Sequence, residues 1–319
     1  MQPMLEWRRG ERMPDEPCDN PSDEPTVGTA APAVGLPDGL VLVSTPIGNL
    51  ADFSPRAVAV LRAADTVLCE DTRVTARLCT AHAVTAPLLA LHEHNEDARI
   101  PQVLRMLREG RRVALVSDAG TPLVSDPGYR LVRAALAEGL PVGAVPGANA
   151  ALLGLTLSGL PPHPFLFLGF LPPKQAARRA ALARLRAAER AGLGATLLLY
   201  EAPHRLAETL ADLAEQLGPR PAAVARELTK RFEEVRRGTL AELAAHYATE
   251  PARGEITVAI GPAPEEDAPA GEDLDARLRA VLATHSLKEA VAAVTAETGL
   301  ARRVVYARAL ALGRETESG

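Results

Sequence analysis

Short apolar runs alternate with amphipathic stretches over residues 40–145, and each apolar run ends in a polar loop. The apolar runs lie at 40–44, 66–70, 87–91, 112–117 and 141–145. The helical patterns between them lie at 54–63, 72–80, 96–109 and 128–138. Alternation of buried strands with helices is typical of α/β folds built on a parallel sheet. The pattern therefore predicts a mostly parallel sheet in an N-terminal domain, residues 39–150.

A second α/β domain is predicted over residues 151–262, after a helix at 147–159. Its apolar runs lie near 195–200, 221–226, 231–237 and 254–260, and its helical patterns lie at 175–190, 203–217 and 239–247. The two runs on either side of Thr229 are too close in sequence for a crossover helix, which predicts a hairpin. A sheet that contains a hairpin beside other connections is a mixed sheet.

Beyond the second domain the pattern changes to a polar linker and a small helical tail. Residues 263–275 are rich in proline, glycine and acidic side chains, which is typical of a linker. Residues 276–319 then predict two amphipathic helices about the turn Thr298-Gly299, an arrangement like a helix-turn-helix.

Composition adds limits on class and compartment. A chain of 319 residues with 47% hydrophobic content is long enough for two cores. It contains no apolar run of roughly 18 residues for a membrane span, and its first 20 residues lack the apolar core of a secretory signal. The three cysteines form no C-x-x-C pair, which disfavours a disulfide framework or a zinc cluster. We therefore expect a cytoplasmic protein without a metal site.

Charge is concentrated at the N-terminus. Residues 1–38 hold eight acidic side chains against three arginines, which predicts a disordered acidic tail and leaves 32 basic and 32 acidic residues in the remainder. Within that neutral remainder, residues 174–190 carry six basic side chains against Glu189 alone. Such a stripe is suited to neutralising phosphates, and it is equally typical of a solvated helix.

The most informative loop follows the apolar run at 112–117, in the segment VALVSDAGTPLVSDPG, residues 113–128. Open α/β sheets bind ligands in the crevice beyond the carboxyl ends of their strands. Ser117 and Asp118 supply acceptors there, and Gly120 permits a close approach to the backbone. A similar unit precedes it, where the strand at 40–44 leads into TPIGNL, residues 45–50. The two loops predict one shared pocket.

Taken in order, nine segments resemble one known family. They are STPIGNLADFSPRAV (44–58), CEDTR (69–73), HEHNE (92–96), SDAGTPLVSDPG (117–128), VPGANA (145–150), FLGFLPPK (167–174), YEAPHR (200–205), RELTKRFEEVRRG (226–238) and GEITVAIG (254–261). The chain is similar, over residues 40–262, to the bacterial ribosomal RNA methyltransferases of the tetrapyrrole methylase superfamily. The resemblance implies a two-domain tetrapyrrole-methylase-like fold, a homodimer, and S-adenosylmethionine as cofactor. It further implies methylation of a cytidine ribose 2′-hydroxyl in the decoding region of 16S rRNA, within the small ribosomal subunit.

The same resemblance implies the binding residues. Those expected to contact the cofactor are Asp118, Ala119, Gly120, Thr121, Ala148, Leu171 and Glu255. Those expected to contact the RNA substrate are Pro46, Gly48, Asn49, Arg73, Arg178, Arg179 and Arg205. The structural alternative for Asp118 is a helix cap or a loop contact, which is common for aspartate.

Methyl transfer to a hydroxyl needs the oxygen aligned with the methyl carbon and its proton removed. Lys174, Glu201 and His204 are the candidates for this catalytic role, and the sequence does not choose among them. The cluster HEHNE contains metal-capable side chains, but alternate residues of an extended chain point in opposite directions, which favours a polar trough lining over a metal site.

Two other functions remain open. A tetrapyrrole-pathway methylase would share the fold, because fold alone does not determine the substrate. Such an enzyme is expected to carry a VGxGPGD-like first loop where this chain has STPIGNL. A non-catalytic RNA-binding protein of ribosome assembly would need no cofactor, so cofactor binding distinguishes it from both enzymes.

Overall fold

The computed structural model describes residues 37–264, 271–298, 300 and 302–317. The acidic tail predicted at 1–38 therefore lies, apart from its last two residues, outside the described residues.

The first half of the chain forms a parallel five-stranded sheet. Its strands in chain order are β1 (Leu40–Val43), β2 (Thr66–Cys69), β3 (Leu88–Ala90), β4 (Val113–Val116) and β5 (Val142–Val145). Their order across the sheet is β3-β2-β4-β1-β5, and every pairing is parallel. The inner strands β2 and β4 are buried at every position, which explains why they read as continuous apolar runs.

Helices connect these strands, and local sequence defines where they begin. They are α1 (Pro55–Ala63), α2 (Thr72–Ala81), α3 (Glu96–Arg108) and α4 (Tyr129–Ala137). Helix α1 begins where the Ser54 side chain accepts a hydrogen bond from Ala57 N and Pro55 occupies the first helical position. Helix α4 follows Gly128, whose φ is +117° and where an added Cβ would lie 2.5 Å from Leu115 Cδ2. Glycine therefore lets the loop after β4 pack against its own strand.

The second half forms a mixed five-stranded sheet. Its strands are β6 (Phe165–Phe170), β7 (Thr196–Glu201), β8 (Pro221–Arg226), β9 (Glu234–Thr239) and β10 (Ile256–Ile260). The order across the sheet is β6-β7-β10-β8-β9. The pairing of β6 with β7 is parallel, and the others are antiparallel. The predicted mixed sheet with a hairpin about Thr229 is thus present as β8 and β9.

Strand β6 is an element that the sequence pattern did not predict. It is an edge strand of half-buried and exposed residues, so it lacks the continuous apolar run of an inner strand. Four helices accompany the second sheet: α5 (Ala150–Ser158), α6 (Gln175–Arg190), α7 (Leu206–Leu217) and α8 (Leu240–Thr249). Helix α5 packs closely on the sheet, because an added Cβ at Gly154 would lie 2.7 Å from Thr257 Cγ2.

Three helices pack on one another near the C-terminus: α9 (Gly271–Leu282), α10 (Leu287–Thr298) and α11 (Arg302–Glu317). The sequence predicted two helices and a linker extending to residue 275. Helix α9 begins earlier because Leu274 is buried in the shared core and the Asp275 carboxylate accepts a 2.6 Å hydrogen bond from Arg308 Nε of α11. The described part of the chain contains no helix with the length and hydrophobicity of a membrane span.

Candidate functional site

A cavity of about 360 Å³ lies where the loops after β1 and β4 face strands β7 and β10. Its walls come from both sheets: Gly120 and Asp126 from the loop after β4, Tyr200 and Glu201 from β7, and Thr257 from β10. This volume falls in the range of small-molecule binding sites. The cavity lies at the carboxyl ends of β1 and β4, as expected for an open parallel sheet.

Hydrogen bonds join the two loops that the sequence predicted to share a pocket. Thr45 N donates to Gly120 O at 2.8 Å, and Gly120 N donates to Thr45 Oγ1 at 3.1 Å. Ser117 Oγ donates to the same Gly120 carbonyl at 2.8 Å. Gly120 has a φ of +87°, and an added Cβ would lie 3.2 Å from Ile47 Cγ2. The prediction of one pocket bounded by both loops is consistent with this geometry.

A third loop, between β5 and α5, is hydrogen-bonded to the loop after β4. Thr121 Oγ1 donates to Ala148 O at 3.1 Å and accepts a hydrogen bond from Asn149 Nδ2 at 3.3 Å. Asn149 Oδ1 also accepts a hydrogen bond from Leu152 N, so the same residue caps α5. The loop after β4 is therefore held from two sides.

All the charged side chains that line the cavity are acidic. Four carboxylates line it, and they belong to Asp118, Asp126, Glu201 and Glu255. Among the described residues, no lysine, arginine or histidine belongs to the lining. A cleft lined by charge of one sign favours ligands of the opposite sign, so the cavity suits a cationic molecule rather than a phosphate.

Three of these carboxylates have hydrogen-bond partners in the protein. Asp118 Oδ1 accepts from Asp71 N at 3.1 Å, and Glu255 Oε2 accepts from Lys230 Nζ at 3.1 Å. Glu201 is buried, and its two oxygens accept from Thr209 Oγ1 at 2.6 Å and from Ala202 N at 2.8 Å. Burial raises the pKa of Asp118 above its ordinary value, although the Asp71 hydrogen bond opposes this.

Asp126 differs from the other three. It lies between Ser125, whose φ is +68°, and the Pro127-Gly128 turn that leads into α4. Burial raises the pKa of its carboxyl to about 7, and the negative charges of Glu70 and Asp118 act in the same direction. Backbone in the left-handed region is rare for residues other than glycine, and it is often found at functional sites.

Aromatic side chains form the apolar wall. The Tyr200 ring lies 5.0 Å from the Phe167 ring and 5.7 Å from the Phe170 ring, measured between centroids. Tyr200 Oη accepts a hydrogen bond from Ala151 N at 3.2 Å, at the beginning of α5. Sequence reasoning missed Asp126, Tyr200 and Phe170 as cavity residues. All three lie in quoted motifs, but no local pattern shows which way their side chains face.

The predicted catalytic residues do not meet in one place. Glu201 lines the cavity, with its carboxylate already bonded as described above. Lys174 and His204 are exposed and do not belong to the lining. Lys174 lies directly before α6, and His204 lies in the turn before α7.

The predicted cofactor residues fall into two groups. Asp118, Ala119, Gly120, Thr121 and Glu255 line the cavity. Ala148 and Leu171 do not line it and contribute backbone carbonyls to the surrounding network. Those carbonyls accept hydrogen bonds from Thr121 Oγ1 and Arg205 Nη2, at 3.1 and 2.9 Å.

The predicted substrate residues of the TPIGNL loop lie at its exposed end. Gly48 and Asn49 are exposed and Pro46 is half-buried. An added Cβ at Gly48 would lie 2.3 Å from Lys230 Cγ, so glycine lets this loop rest against the hairpin of β8 and β9. Asn49 Oδ1 accepts from Ala51 N and caps a short 3₁₀ turn, Leu50–Asp52.

Two further predicted substrate residues are arginines in different environments. The Arg73 side chain is 86% exposed and pairs with Asp71 at 2.6 Å. The Arg205 side chain is mostly buried and donates to Leu171 O, so it connects α7 to the segment after β6.

The basic stripe of α6 requires a correction at Arg178. The sequence predicted a phosphate contact, but Arg178 is 1% exposed and its Nη2 lies 2.6 Å from Asp212 Oδ2 on α7. Arg179 Nε donates to the other Asp212 oxygen at 2.8 Å and its Nη2 lies 2.5 Å from Glu215. The guanidinium groups of Arg178 and Arg179 thus form ion pairs between α6 and α7. Arg184 and Arg190, on the same helix, are exposed.

No group of His, Cys, Asp or Glu side chains with the geometry of a metal site occurs in the described ranges. His92 and His94 of the HEHNE cluster contact each other edge to face, with ring centroids 6.1 Å apart.

Comparison with known families and proteins gives concordant results. The family model "Tetrapyrrole (Corrin/Porphyrin) Methylases" matches residues 39–244, and the model "RsmI C-terminal HTH domain" matches residues 268–313. A protein named ribosomal RNA small subunit methyltransferase I from Micromonospora olivasterospora is 50% identical over 273 residues, covering 84% of this chain and 85% of that protein. A protein of the same name from Mesorhizobium japonicum is 47% identical over 286 residues, covering 89% and 95%.

Solved structures share the fold. The methyltransferase CobJ superposes with a TM-score of 0.52 at 23% identity, over 70% of this chain and 94% of CobJ. Diphthine synthase superposes with a TM-score of 0.54 at 15% identity, over 70% and 90%. The predicted α/β fold class is thereby confirmed. With two sheets meeting at an acidic cavity and relatives of 47% and 50% identity, the chain belongs to the tetrapyrrole methylase family and is an S-adenosylmethionine-dependent methyltransferase.

Proposed function

We propose that this enzyme methylates the ribose 2′-hydroxyl of a cytidine in the decoding region of 16S rRNA. The observation that carries the proposal is the acidic cavity, bounded by the TPIGNL and SDAGTP loops. It occurs in a chain 50% identical to a protein named ribosomal RNA small subunit methyltransferase I.

The cavity fits S-adenosylmethionine in charge and size. This molecule carries a sulfonium, an ammonium and a carboxylate group and no phosphate, so its net charge is positive. The lining holds four carboxylates and no basic side chain within the described chain. Asp118, Ala119, Gly120, Thr121 and Glu255 would hold it, with the carbonyls of Ala148 and Leu171 behind them. When bound, the sulfonium supplies an activated methyl group.

The protein contributes position and exclusion of water. Hydrogen bonds from Thr45 and Thr121 hold the loop after β4, so contacts within the protein fix its backbone. Preordered geometry lowers the entropic part of the barrier to an in-line displacement. The RNA backbone would stay outside the acidic lining, where Pro46, Gly48, Asn49, Arg73 and Arg205 are proposed to position the nucleotide. Arg179 would contribute through the exposed part of its side chain.

The cysteines favour ribose over a base carbon as acceptor. Methylation of a base carbon commonly uses a cysteine nucleophile, which needs a reactive thiolate. Cys69 and Cys79 are both buried, and burial raises the pKa of each thiol. Cys18 lies outside the described residues.

The assembly and setting belong to the same proposal. We infer a homodimer that acts in the cytoplasm on rRNA within the small ribosomal subunit. Mass measurement in solution by light scattering tests the dimer, and a monomer at working concentration would contradict it.

The deciding experiment uses small ribosomal subunits that lack the modification. Incubation with methyl-labelled cofactor should label one cytidine of 16S rRNA, and the labelled position should resist alkaline cleavage because a 2′-O-methyl group blocks the attacking hydroxyl. A labelled nucleotide that still cleaves in alkali would contradict the ribose assignment.

Two controls distinguish the remaining functions. Label transferred to a tetrapyrrole and none to RNA would favour the tetrapyrrole-pathway methylase. RNA binding without stoichiometric cofactor binding in calorimetry would favour a non-catalytic assembly protein.

A further inference from the structure

The partners of the four cavity carboxylates distinguish one of them. The carboxylates of Asp118, Glu201 and Glu255 accept hydrogen bonds from Asp71 N, Thr209 Oγ1 and Lys230 Nζ respectively. Among the described residues, the carboxylate of Asp126 has neither a hydrogen-bond donor nor a basic partner. It is therefore the cavity carboxylate most available to an incoming ligand.

We propose that Asp126 is the general base that accepts the proton of the substrate hydroxyl. This assignment rests on the proposed function and names a catalytic residue for it. Lys174 and His204 lie outside the cavity lining, and the Glu201 carboxylate is buried and bonded to Thr209 and Ala202, so they are less suited to the role.

The position of Asp126 is fixed by its loop. Ser125 lies against the end of β6, because an added Cβ at Gly169 would lie 3.3 Å from Ser125 Oγ. Gly128, on the other side of Asp126, packs against Leu115 of β4. Asp126 is thus held between the two sheets in a half-buried position, facing the same cavity as Tyr200 of β7.

The groups that face Asp126 explain its proton affinity. Glu70, which follows β2, and Asp118, in the same loop as Asp126, are acidic and raise the pKa of its carboxyl beyond the effect of burial, to about 7. Tyr200 of β7 is neutral at this pH, and its own pKa is raised by burial first and then by the charge of Asp126. A base whose pKa lies near the working pH is well matched to proton transfer.

The step balances in atoms and charge. As the hydroxyl oxygen forms its bond to the methyl carbon, its O–H bond breaks and the proton moves to a carboxylate oxygen of Asp126. The methyl–sulfur bond breaks with its electron pair remaining on sulfur, which becomes a neutral thioether. Asp126 ends protonated and releases its proton to solvent.

The first test replaces the carboxylate with an isosteric amide. Asp126→Asn should lower kcat by about 100-fold or more, the usual contribution of a general base. Cofactor affinity, measured by calorimetry, should change much less than kcat. Asp126→Glu should restore part of the activity. Asp97→Asn is the matched control, since Asp97 is an exposed aspartate on α3 outside the cavity lining.

The second measurement does not depend on activity. With ¹³C-labelled aspartate, the Asp126 carboxyl resonance, assigned by its loss in Asp126→Asn, should titrate near pH 7 in the free protein. Bound cofactor should move this titration to lower pH, because a nearby positive charge favours the carboxylate. The activity of the parent enzyme should fall on the acidic side as this group is protonated, and Asp126→Asn should lack that dependence.

Three outcomes would overturn the assignment. They are activity of Asp126→Asn within twofold of the parent, a loss fully explained by weaker cofactor binding, or titration in the free protein at the ordinary aspartate value of about 3.9. If the parent enzyme does not label small-subunit RNA, the proposed function fails by itself. If the parent labels the RNA and Asp126→Asn does so equally well, only the base assignment fails.

Discussion

Asp118 shows how one side chain serves both the loop structure and the cavity. Its Oδ1 accepts a hydrogen bond from Asp71 N, which links the loop after β4 to the beginning of α2. The same carboxylate lines the cavity and adds to its negative charge. The structural and the functional interpretation of this residue are therefore compatible, and two substitutions can separate them.

Asp118→Asn keeps an oxygen acceptor for Asp71 N and removes the charge, whereas Asp118→Ala removes both. We expect both variants to bind cofactor roughly 10-fold to 100-fold more weakly, the equivalent of a charged hydrogen bond of about 1.5–3 kcal/mol. Only Asp118→Ala should also lose about 1–3 kcal/mol of unfolding free energy, since it leaves a donor unsatisfied. Calorimetry and thermal unfolding measure the two effects. Unchanged affinity in Asp118→Asn would exclude Asp118 from cofactor recognition.

At the scale of elements, the contact of α6 with α7 depends on a buried ion-pair group. Arg178 and Arg179 both donate to Asp212, whose carboxylate is almost completely buried. Burial opposes ionisation of Asp212, but hydrogen bonds from Arg179 and Arg178 hold its pKa below the ordinary value. The contribution of the ionised Asp212 to stability is therefore present above the ordinary pKa of aspartate. This contribution is lost as the pH falls through the lowered pKa of Asp212 in the folded protein.

Arg178→Ala should destabilise the protein by up to about 3–5 kcal/mol, because Asp212 loses its buried partner and keeps Arg179 alone as a cationic partner. Arg184→Ala on the same helix is the control, and as an exposed position it should stay within about 0.5 kcal/mol of the parent. Denaturant unfolding at neutral pH compares them. Equal stability of the two variants would show that the pair contributes little to the packing of α6.

At the scale of the whole molecule, the C-terminal helices have a hydrophobic core of their own. Leu278 of α9, Val294 of α10 and Val305 of α11 are completely buried in this cluster. Within the described ranges, the cluster shares no buried residue with the clusters of the two sheets. A core from so few residues is small, so one buried charge is enough to disrupt it.

Val294→Asp should therefore unfold the three C-terminal helices and leave cofactor affinity unchanged. Ala293→Asp places the same charge on an exposed position of the same helix and should leave the helices folded. Limited proteolysis with mass mapping reports the helices, and calorimetry reports the cofactor. Weaker cofactor binding in Val294→Asp alone would show that these helices support the cavity.

The elements that could be predicted from the sequence are those whose signals are local. The inner strands β2 and β4 are buried on both faces and read as apolar runs. The loops after β1 and β4 carry polar and glycine residues directly after the apolar run of each strand. Strand β6 and the beginning of α9 escaped prediction. The first is a half-buried edge strand, and the second begins in an acidic segment whose Asp275 accepts a hydrogen bond from Arg308 of α11.

Which side chains of the motifs face the cavity, and which are buried elsewhere, depends on contacts between distant parts of the chain. Asp126 lies in the same loop as Asp118, but its acidic environment also includes Glu70 on a different loop, and its cavity includes Tyr200 of the second sheet. Arg178 has the sequence context of a solvated helix, and it is buried because Asp212, 34 residues further along, packs against it. Period and composition report local propensity, whereas burial and pKa depend on partners brought together from distant parts of the chain.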